Sequence, residues 1–288
     1  MNNYEPESSV MNFEFSKIYD FSGKTIVVTG GAGILCRQVI HALFDCGANV
    51  ALLDVNHHLA QNFVKEISPI KKENKAVAIH CNVLEVQSVE EAISLILSEY
   101  GKIDALINGA GGNDPNATTN DEQPFFTLPI EAIKWVFDLN LIGSIIPSQI
   151  VGSTMAEHEE GVILNISSMN AFRPLTRIPA YSAAKAAINN FTQWLAVHMA
   201  QEYSPAIRVN AIAPGFFMTG QNQYLLTDKQ TGELSERGKK IIDHTPMGRF
   251  GYPQDLVGPA IWLLSPASQF VTGVVLPVDG GFSAFSGV

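Results

Sequence analysis

Seven short apolar runs recur along the chain, each separated from the next by a longer stretch with helical periodicity. They are Thr25–Thr29 (TIVVT), Val50–Asp54 (VALLD), Ala76–Cys81 (AVAIHC), Ile103–Asn108 (IDALIN), Val162–Ser167 (VILNIS), Ile207–Ala213 (IRVNAIA) and Val274–Val278 (VVLPV). A strand with one face in water alternates apolar and polar residues. These runs are rich in Val and Ile and nearly continuous, so both faces are buried, which calls for a parallel sheet covered by helices. The pattern predicts an α/β doubly wound fold with a seven-stranded parallel sheet and helices on both faces. A length of 288 residues would allow two domains. The alternation needs no break between two cores, however, and there is no repeat or low-complexity linker. The expectation is one domain over residues 21–288, preceded by an extension over residues 1–20.

Composition narrows the partners. Hydrophobic residues make up 46% of the chain, enough for a large core. Charged residues make up only 16%, against about 25% in typical chains, which points to surface buried between subunits. The net charge of −10 argues against binding nucleic acid or an anionic membrane. Cys36, Cys46 and Cys81 have neither CxxC nor Cys/His metal spacing, so no metal is expected and a reduced, cytoplasmic setting fits. The first twenty residues hold four acids, one lysine and no apolar run, unlike a signal peptide or a membrane span.

Two segments break the alternation: residues 109–129 after the fourth run, and residues 215–247 after the sixth, with a helical pattern at Glu233–His244. In doubly wound sheets the loops at the carboxyl ends of strands form the ligand crevice, so these are the expected lid and substrate wall.

After the first run comes TGGAGILC, Thr29 to Cys36. A glycine turn from strand into helix lets a phosphate approach backbone N–H groups and the positive end of the helix dipole. The second run ends at Asp54, where a carboxylate can accept from ribose hydroxyls and repel a 2′-phosphate. Gly33 and Val55 provide no cation to offset that repulsion, so NAD is favoured over NADP. The glycines alone would also suit an ordinary tight turn, and Asp54 a helix cap.

Tyr181 and Lys185, in YSAAK, are spaced to share one helix face. A tyrosine titrates near about 10 and is a poor base at neutral pH. A neighbouring ammonium lowers that value, so the pair can exchange a proton with a substrate oxygen. Ser168, at the end of the fifth run, can orient that oxygen. By itself the Tyr/Lys spacing also suits a solvated helix face.

Thr29–Gly30, Asn108–Gly109–Ala110–Gly111, Asn140, Ser168, Tyr181–Lys185 and Pro214–Gly215, in this order, resemble the short-chain dehydrogenase/reductase family over about residues 20–283. The resemblance implies a Rossmann-type fold and a catalytic set of Asn140, Ser168, Tyr181 and Lys185. In that set the tyrosine is acid/base, the lysine holds the nicotinamide ribose, the serine holds the substrate oxygen, and the asparagine supports a proton relay through water. It also implies a dinucleotide site over Gly30, Gly31, Gly33, Ile34, Leu35, Asp54, Asn82, Val83, Asn108, Gly109, Ala110, Tyr181, Lys185, Pro214, Gly215, Phe217 and Thr219. Three departures stand out. Ile34 and Cys36 occupy the places of two turn glycines, Asn82 replaces an adenine-contacting aspartate, and Gly109 replaces a second asparagine. The resemblance further implies a homotetramer in which the helices bearing Asn140 and Tyr181 pack between subunits.

The loop between Ser168 and Tyr181 carries Asn170, Arg173, Thr176 and Arg177, and the 109–129 loop carries Asn113, Asn116, Thr118 and Thr119. Arginine forks suit carboxylates and the amides and hydroxyls suit sugar hydroxyls, so the expected substrate is a sugar acid. The arginines would equally suit surface or subunit salt bridges. The strings INGAGGN, ISSMNAFRPLTRIPAYSAAKAAI and PVDGGFSAFSGV are similar to the D-mannonate oxidoreductase (fructuronate reductase) branch. Gluconate 5-dehydrogenases are near neighbours, and a non-catalytic NAD-binding sensor is the alternative of another class. His198 and His244 read as structural, and Trp135, Phe137, Phe191 and Trp194 as core or subunit contacts.

Overall fold

A computed structural model of the chain describes residues 15–68, 73–220, 223–228 and 231–287. The extension expected over residues 1–20 therefore lies outside the described residues up to residue 14.

The strands are β1 Thr25–Thr29, β2 Asn49–Asp54, β3 Ala76–His80, β4 Ala105–Asn108, β5 Gly161–Ile166, β6 Ile207–Pro214 and β7 Val275–Val278. All seven pair in parallel in one sheet, in the order β3-β2-β1-β4-β5-β6-β7. The sequence of the sheet reverses beside β1, between β1 and β4. This is the switch point where such sheets open a crevice at the strands' carboxyl ends.

The helices are α1 Phe15–Ile18, α2 Ile34–Asp45, α3 His57–Ile67, α4 Val86–Tyr100, α5 Ile130–Phe137, α6 Gly143–His158, α7 Pro179–Glu202, α8 Gln223–Leu226, α9 Glu236–Asp243 and α10 Val257–Leu264. Alternate residues of β1 feed opposite cores. Ile26 and Val28 pack with α2, α3 and α10, and Val27 packs with α4, α6 and α7. Each fully buried Ile or Val is worth roughly 1.5–3 kcal/mol over exposure, which is why the runs are continuous. Local chemistry sets the helix ends. The Asn56 side chain accepts from Leu59 N at 3.1 Å to start α3, the Ser235 hydroxyl accepts from Gly238 N at 3.1 Å to start α9, and Gly101 stops α4 at φ 80°.

The observed strands match the expected runs to within one or two residues. β7 starts at Val275 because the Val274 N–H is taken by the Asn210 side chain at 3.1 Å. The 215–247 segment holds α9 as expected in outline, and also the short α8, which the pattern did not announce. Between α5 and α6, residues Asp138–Ile142 form a π turn. Pro147 inside α6 cannot donate to the Gly143 carbonyl, and the π turn lies just upstream. The widened turn carries Asn140.

Candidate active site

The glycine turn after β1 is built for close approach. Gly30 has φ 62°, and a Cβ there would lie 2.7 Å from the Ala110 backbone. Gly33 is the N-cap of α2 and offers no side-chain cap, so the first N–H groups of a 12-residue helix face the crevice without a protein acceptor from that residue. The Asp54 carboxylate closes the turn from β2. Its Oδ2 accepts from Ala32 N at 3.0 Å and its Oδ1 from Asn56 N at 2.8 Å. The acid thus serves the loop and the crevice together. These residues fit a dinucleotide: bare helix N–H groups for phosphate, and a strand-end carboxylate for ribose hydroxyls.

Two of the departures, Cys36 and Gly109, resolve into one contact. A Cβ on Gly109 would lie 2.3 Å from the Cys36 Sγ. The cysteine side chain occupies the room that a side chain at 109 would need, so each departure permits the other. Burial, reinforced by Asp54 and opposed by Lys185, pushes the Cys36 thiol up to about 12, and it remains a neutral packing group. The Asn82 side chain is committed to its own loop: its carbonyl accepts from Leu84 N at 3.1 Å and its amide donates to Glu85 at 2.7 Å. Val83 is buried beneath Gly143, and Phe217 packs its ring against Gly251. Ile34 and Leu35 are half-buried at the start of α2, and Pro214, Gly215 and Thr219 line the exit of β6.

Ser168, Tyr181 and Lys185 meet at the carboxyl end of β5. Ser168 follows the strand in extended conformation and hydrogen-bonds Tyr181. Pro179 starts α7 at a position where its missing N–H costs nothing, and this sets Tyr181 and Lys185 on the inward face. Lys185 is buried and donates to the Ile166 carbonyl at 2.7 Å, with its Nζ 5.6 Å from the Tyr181 ring centroid.

This geometry corrects one expectation. The ammonium is directed to Ile166 rather than to the phenol oxygen. Burial therefore governs Tyr181 and raises it above its ordinary value, with the Ser168 hydrogen bond opposing. Burial also depresses Lys185 to about 8.

The sign of the pH effect follows. Between about 8 and its ordinary 10.5, Lys185 is protonated in the unfolded chain and neutral in the fold. Stability contributed by this group therefore rises with pH across that window, and below it the buried ammonium is a cost. Lys185→Met removes the effect. In urea unfolding, the variant's stability advantage should shrink from about pH 7.5 to about pH 9.5, by on the order of 1 kcal/mol per pH unit. A difference constant across that range would refute this.

Asn140 is fully buried, and its side chain is committed to protein. Its amide donates to the Gly112 and Val136 carbonyls, both at 2.7 Å, and its Oδ1 accepts from Gly112 N at 3.2 Å. It pins the loop after β4 beside Lys185: a Cβ on Gly111 would lie 2.8 Å from Asn140 Oδ1 and 3.2 Å from Lys185 Nζ. A buried polar chain extends from Asn140 through the layer below. Ser144 donates to the Asn140 carbonyl and Ser148 to the Ser144 carbonyl, while Asn108 donates to Ser148 Oγ and to Asn165 Oδ1. Asn165 in turn donates to Thr192 on α7 at 2.9 Å. Sequence reasoning missed Asn165 and Ser148; polar residues inside otherwise apolar elements were the available signal.

The expected substrate residues divide. Asn113 donates to Thr118 Oγ1 at 2.8 Å and leaves its buried Oδ1 without a partner. Thr118 and Thr119 donate their hydroxyl protons to the Asp114 and Arg177 carbonyls, so they brace the lid loop. Asn170 is buried beside Ser168, and Asn116 is exposed. Arg173 and Arg177 are exposed, and neither enters an ion pair among the described residues. His198 stacks on Trp194, and His244 Nδ1 donates to the Lys240 carbonyl at 2.8 Å, consistent with structural roles. A cavity of about 440 Å³ is lined by Phe216, Met247, Arg249 and Asp279–Gly281 among others, and none of Asn140, Ser168, Tyr181 and Lys185 lines it. Among the described residues no cluster of three or more metal-binding side chains occurs, and no helix is long and apolar enough to cross a membrane.

The family model for short chain dehydrogenase matches residues 24–230. An uncharacterized oxidoreductase of Haemophilus influenzae is 47% identical, covering 94% of this chain and 96% of its own. A 2-dehydro-3-deoxy-D-gluconate 5-dehydrogenase of Formosa agariphila is 35% identical, covering 94% and 96%. The crystal structure of a "putative D-mannonate oxidoreductase" from Haemophilus influenza with bound NAD superposes with a TM-score of 0.88, at 46% identity, covering 95% of this chain and 100% of that one.

Proposed function

The chain belongs to the short-chain dehydrogenase/reductase family of oxidoreductases, and from that premise we propose that it interconverts D-mannonate and D-fructuronate with NAD(H). The observation that carries the reading is the meeting of Ser168, Tyr181 and Lys185 at one strand end, beside a loop with two arginines that have no carboxylate partner among the described residues. When bound, the nicotinamide exchanges the hydride, and its oxidised form adds a positive charge that favours the Tyr181 phenolate. In reduction the Tyr181 hydroxyl protonates the oxygen of the former ketone, and in oxidation the phenolate takes the alcohol proton. Ser168 donates to the same oxygen and fixes its place. Lys185 and Asn140 hold the surrounding loop and the cofactor side of the crevice.

The Asp54 carboxylate supports NAD over NADP, because a 2′-phosphate would meet it directly. The relatives' names support a sugar acid, and one of them keeps a gluconate-type 5-dehydrogenase in view as the second reading. Residues 21–288 act as one catalytic domain on this reading. A homotetramer is supported by large apolar side chains left open on α5 and α7: Trp135 is 44% exposed, Trp194 57% and Val197 56%. Three free thiols suit the reducing cytoplasm.

The test is a panel of sugar acids and their keto forms with each cofactor. D-fructuronate with NADH should be the best pair, NADPH should be at least about tenfold poorer, and Asp54→Ala should narrow that gap. Faster turnover of 5-ketogluconate would select the second reading. NAD binding without turnover of any member would select a sensor.

A further inference from the structure

The two arginines of the substrate loop are held differently. Arg177 contributes its main chain: its carbonyl accepts from Thr119 N at 2.8 Å, and its guanidinium has no hydrogen bond among the described residues. Arg173 is anchored through its side chain. Its Nε donates to the Ser283 carbonyl at 3.2 Å, and among the described residues both terminal nitrogens of the fork stay uncommitted. A single bond at Nε orients the guanidinium plane without consuming the pair of donors that a carboxylate uses. The loop also keeps Arg173 close to Ser168, because Arg173 N bonds back to the Met169 carbonyl at 3.0 Å.

Ser283 belongs to a compact C-terminal turn organised by Asp279. That carboxylate accepts from Gly281 N at 2.9 Å and from Ser283 N at 2.8 Å. The turn begins against the exit of β6, where a Cβ on Gly215 would lie 2.6 Å from Asp279. Its two aromatic residues lie on the substrate wall, Phe282 against Phe216 with centroids 5.1 Å apart and Phe285 against His244 at 6.4 Å. One short turn therefore touches the loop after β5, the exit of β6 and the end of α9, three of the segments that enclose the crevice.

We propose that Arg173 binds the substrate carboxylate, and that the Asp279-centred turn 279–285 is a positioning element that aims it through the Ser283 carbonyl. This rests on the sugar-acid reading above. The turn selects for acids: it costs a neutral polyol nothing and gives it nothing.

Steady-state kinetics with a sugar acid and with a polyol of the same length lacking the carboxylate test it, in the parent, Arg173→Ala, Arg173→Lys and Asp279→Asn. Arg173→Ala should raise KM for the acid roughly 10- to 100-fold, with kcat changed much less and KM for the polyol unchanged. Arg173→Lys should recover only part of the loss, because an ammonium cannot hold the Nε anchor and both carboxylate oxygens. Asp279→Asn should raise KM for the acid severalfold, in the same selective way. Retained NAD binding, read by tryptophan fluorescence, shows that each variant is folded. Equal effects on acid and polyol, or no effect on either, overturn the proposal. If the parent turns over neither compound, calorimetry of mannonate binding to the NAD-loaded protein separates the two claims. Binding that Arg173→Ala abolishes keeps the carboxylate site and removes the reaction. Binding that Arg173→Ala leaves intact, or no binding at all, overturns the site.

Discussion

Tyr181→Phe is expected to lower kcat by about 10²- to 10⁴-fold, the range a positioned acid/base contributes. The change removes one oxygen from a side chain packed on Lys185 and hydrogen-bonded to Ser168. The ring stays, so NAD affinity and folding should change little. The residual rate should come from orientation by Ser168 and from the binding of the two reactants side by side. The pH profile adds a second reading. Burial holds the Tyr181 hydroxyl above its ordinary value, so in the free enzyme the phenolate is scarce at neutral pH. Oxidation of the alcohol should therefore accelerate as pH rises from about 7 to 9, whereas reduction, which uses the protonated form, should be flat or fall. In Tyr181→Phe both slopes should vanish with the rate. A variant that keeps the parent's kcat would remove Tyr181 from the reaction and with it the proposed chemistry.

Much of this site was legible in the sequence, because its parts are short and local. Tyr181 and Lys185 need only helical spacing, and Asp54 needs only the end of a buried strand. The strands themselves were legible because burial on both faces keeps their runs nearly continuous in apolar residues. What sequence spacing does not carry is direction and long-range contact. The Tyr181–Lys185 spacing puts both residues on α7, yet the ammonium points to the Ile166 carbonyl, and spacing alone does not reveal that direction. Thr118 and Thr119 had the chemistry for sugar hydroxyls, but the lid loop uses them to close on itself and on Arg177. The C-terminal turn was seen only as a similar string; its hold on Arg173 joins residues 110 positions apart. Cys36 and Gly109 stood out as separate departures, and only packing shows them to be partners.

That partnership makes the second large prediction. Gly109→Ala alone places a methyl 2.3 Å from the Cys36 Sγ and 2.8 Å from the Thr29 carbonyl. Overpacking of this kind costs about 1–3 kcal/mol. The strain falls on the strip that aligns the glycine turn with the loop after β4, where Gly109 N and Ala110 N both bond the Thr29 hydroxyl. NAD binding should therefore weaken by roughly 5- to 100-fold as the turn is displaced, at 1.4 kcal/mol for each factor of ten. Cys36→Ala opens the space again. The Cys36 Cβ lies 3.9 Å from the added methyl, an ordinary contact, and alanine keeps α2 helical. The double variant should then be more stable, and bind NAD more tightly, than the sum of the single changes allows, with a coupling of about 0.5–3 kcal/mol. Recovery should stay incomplete, because the Thr29 carbonyl does not move out of the way when the sulfur is removed. Urea unfolding and NAD titration of the four proteins measure both quantities. Strict additivity would mean that the sulfur and the glycine are neighbours without being partners, and the two departures would again need separate explanations.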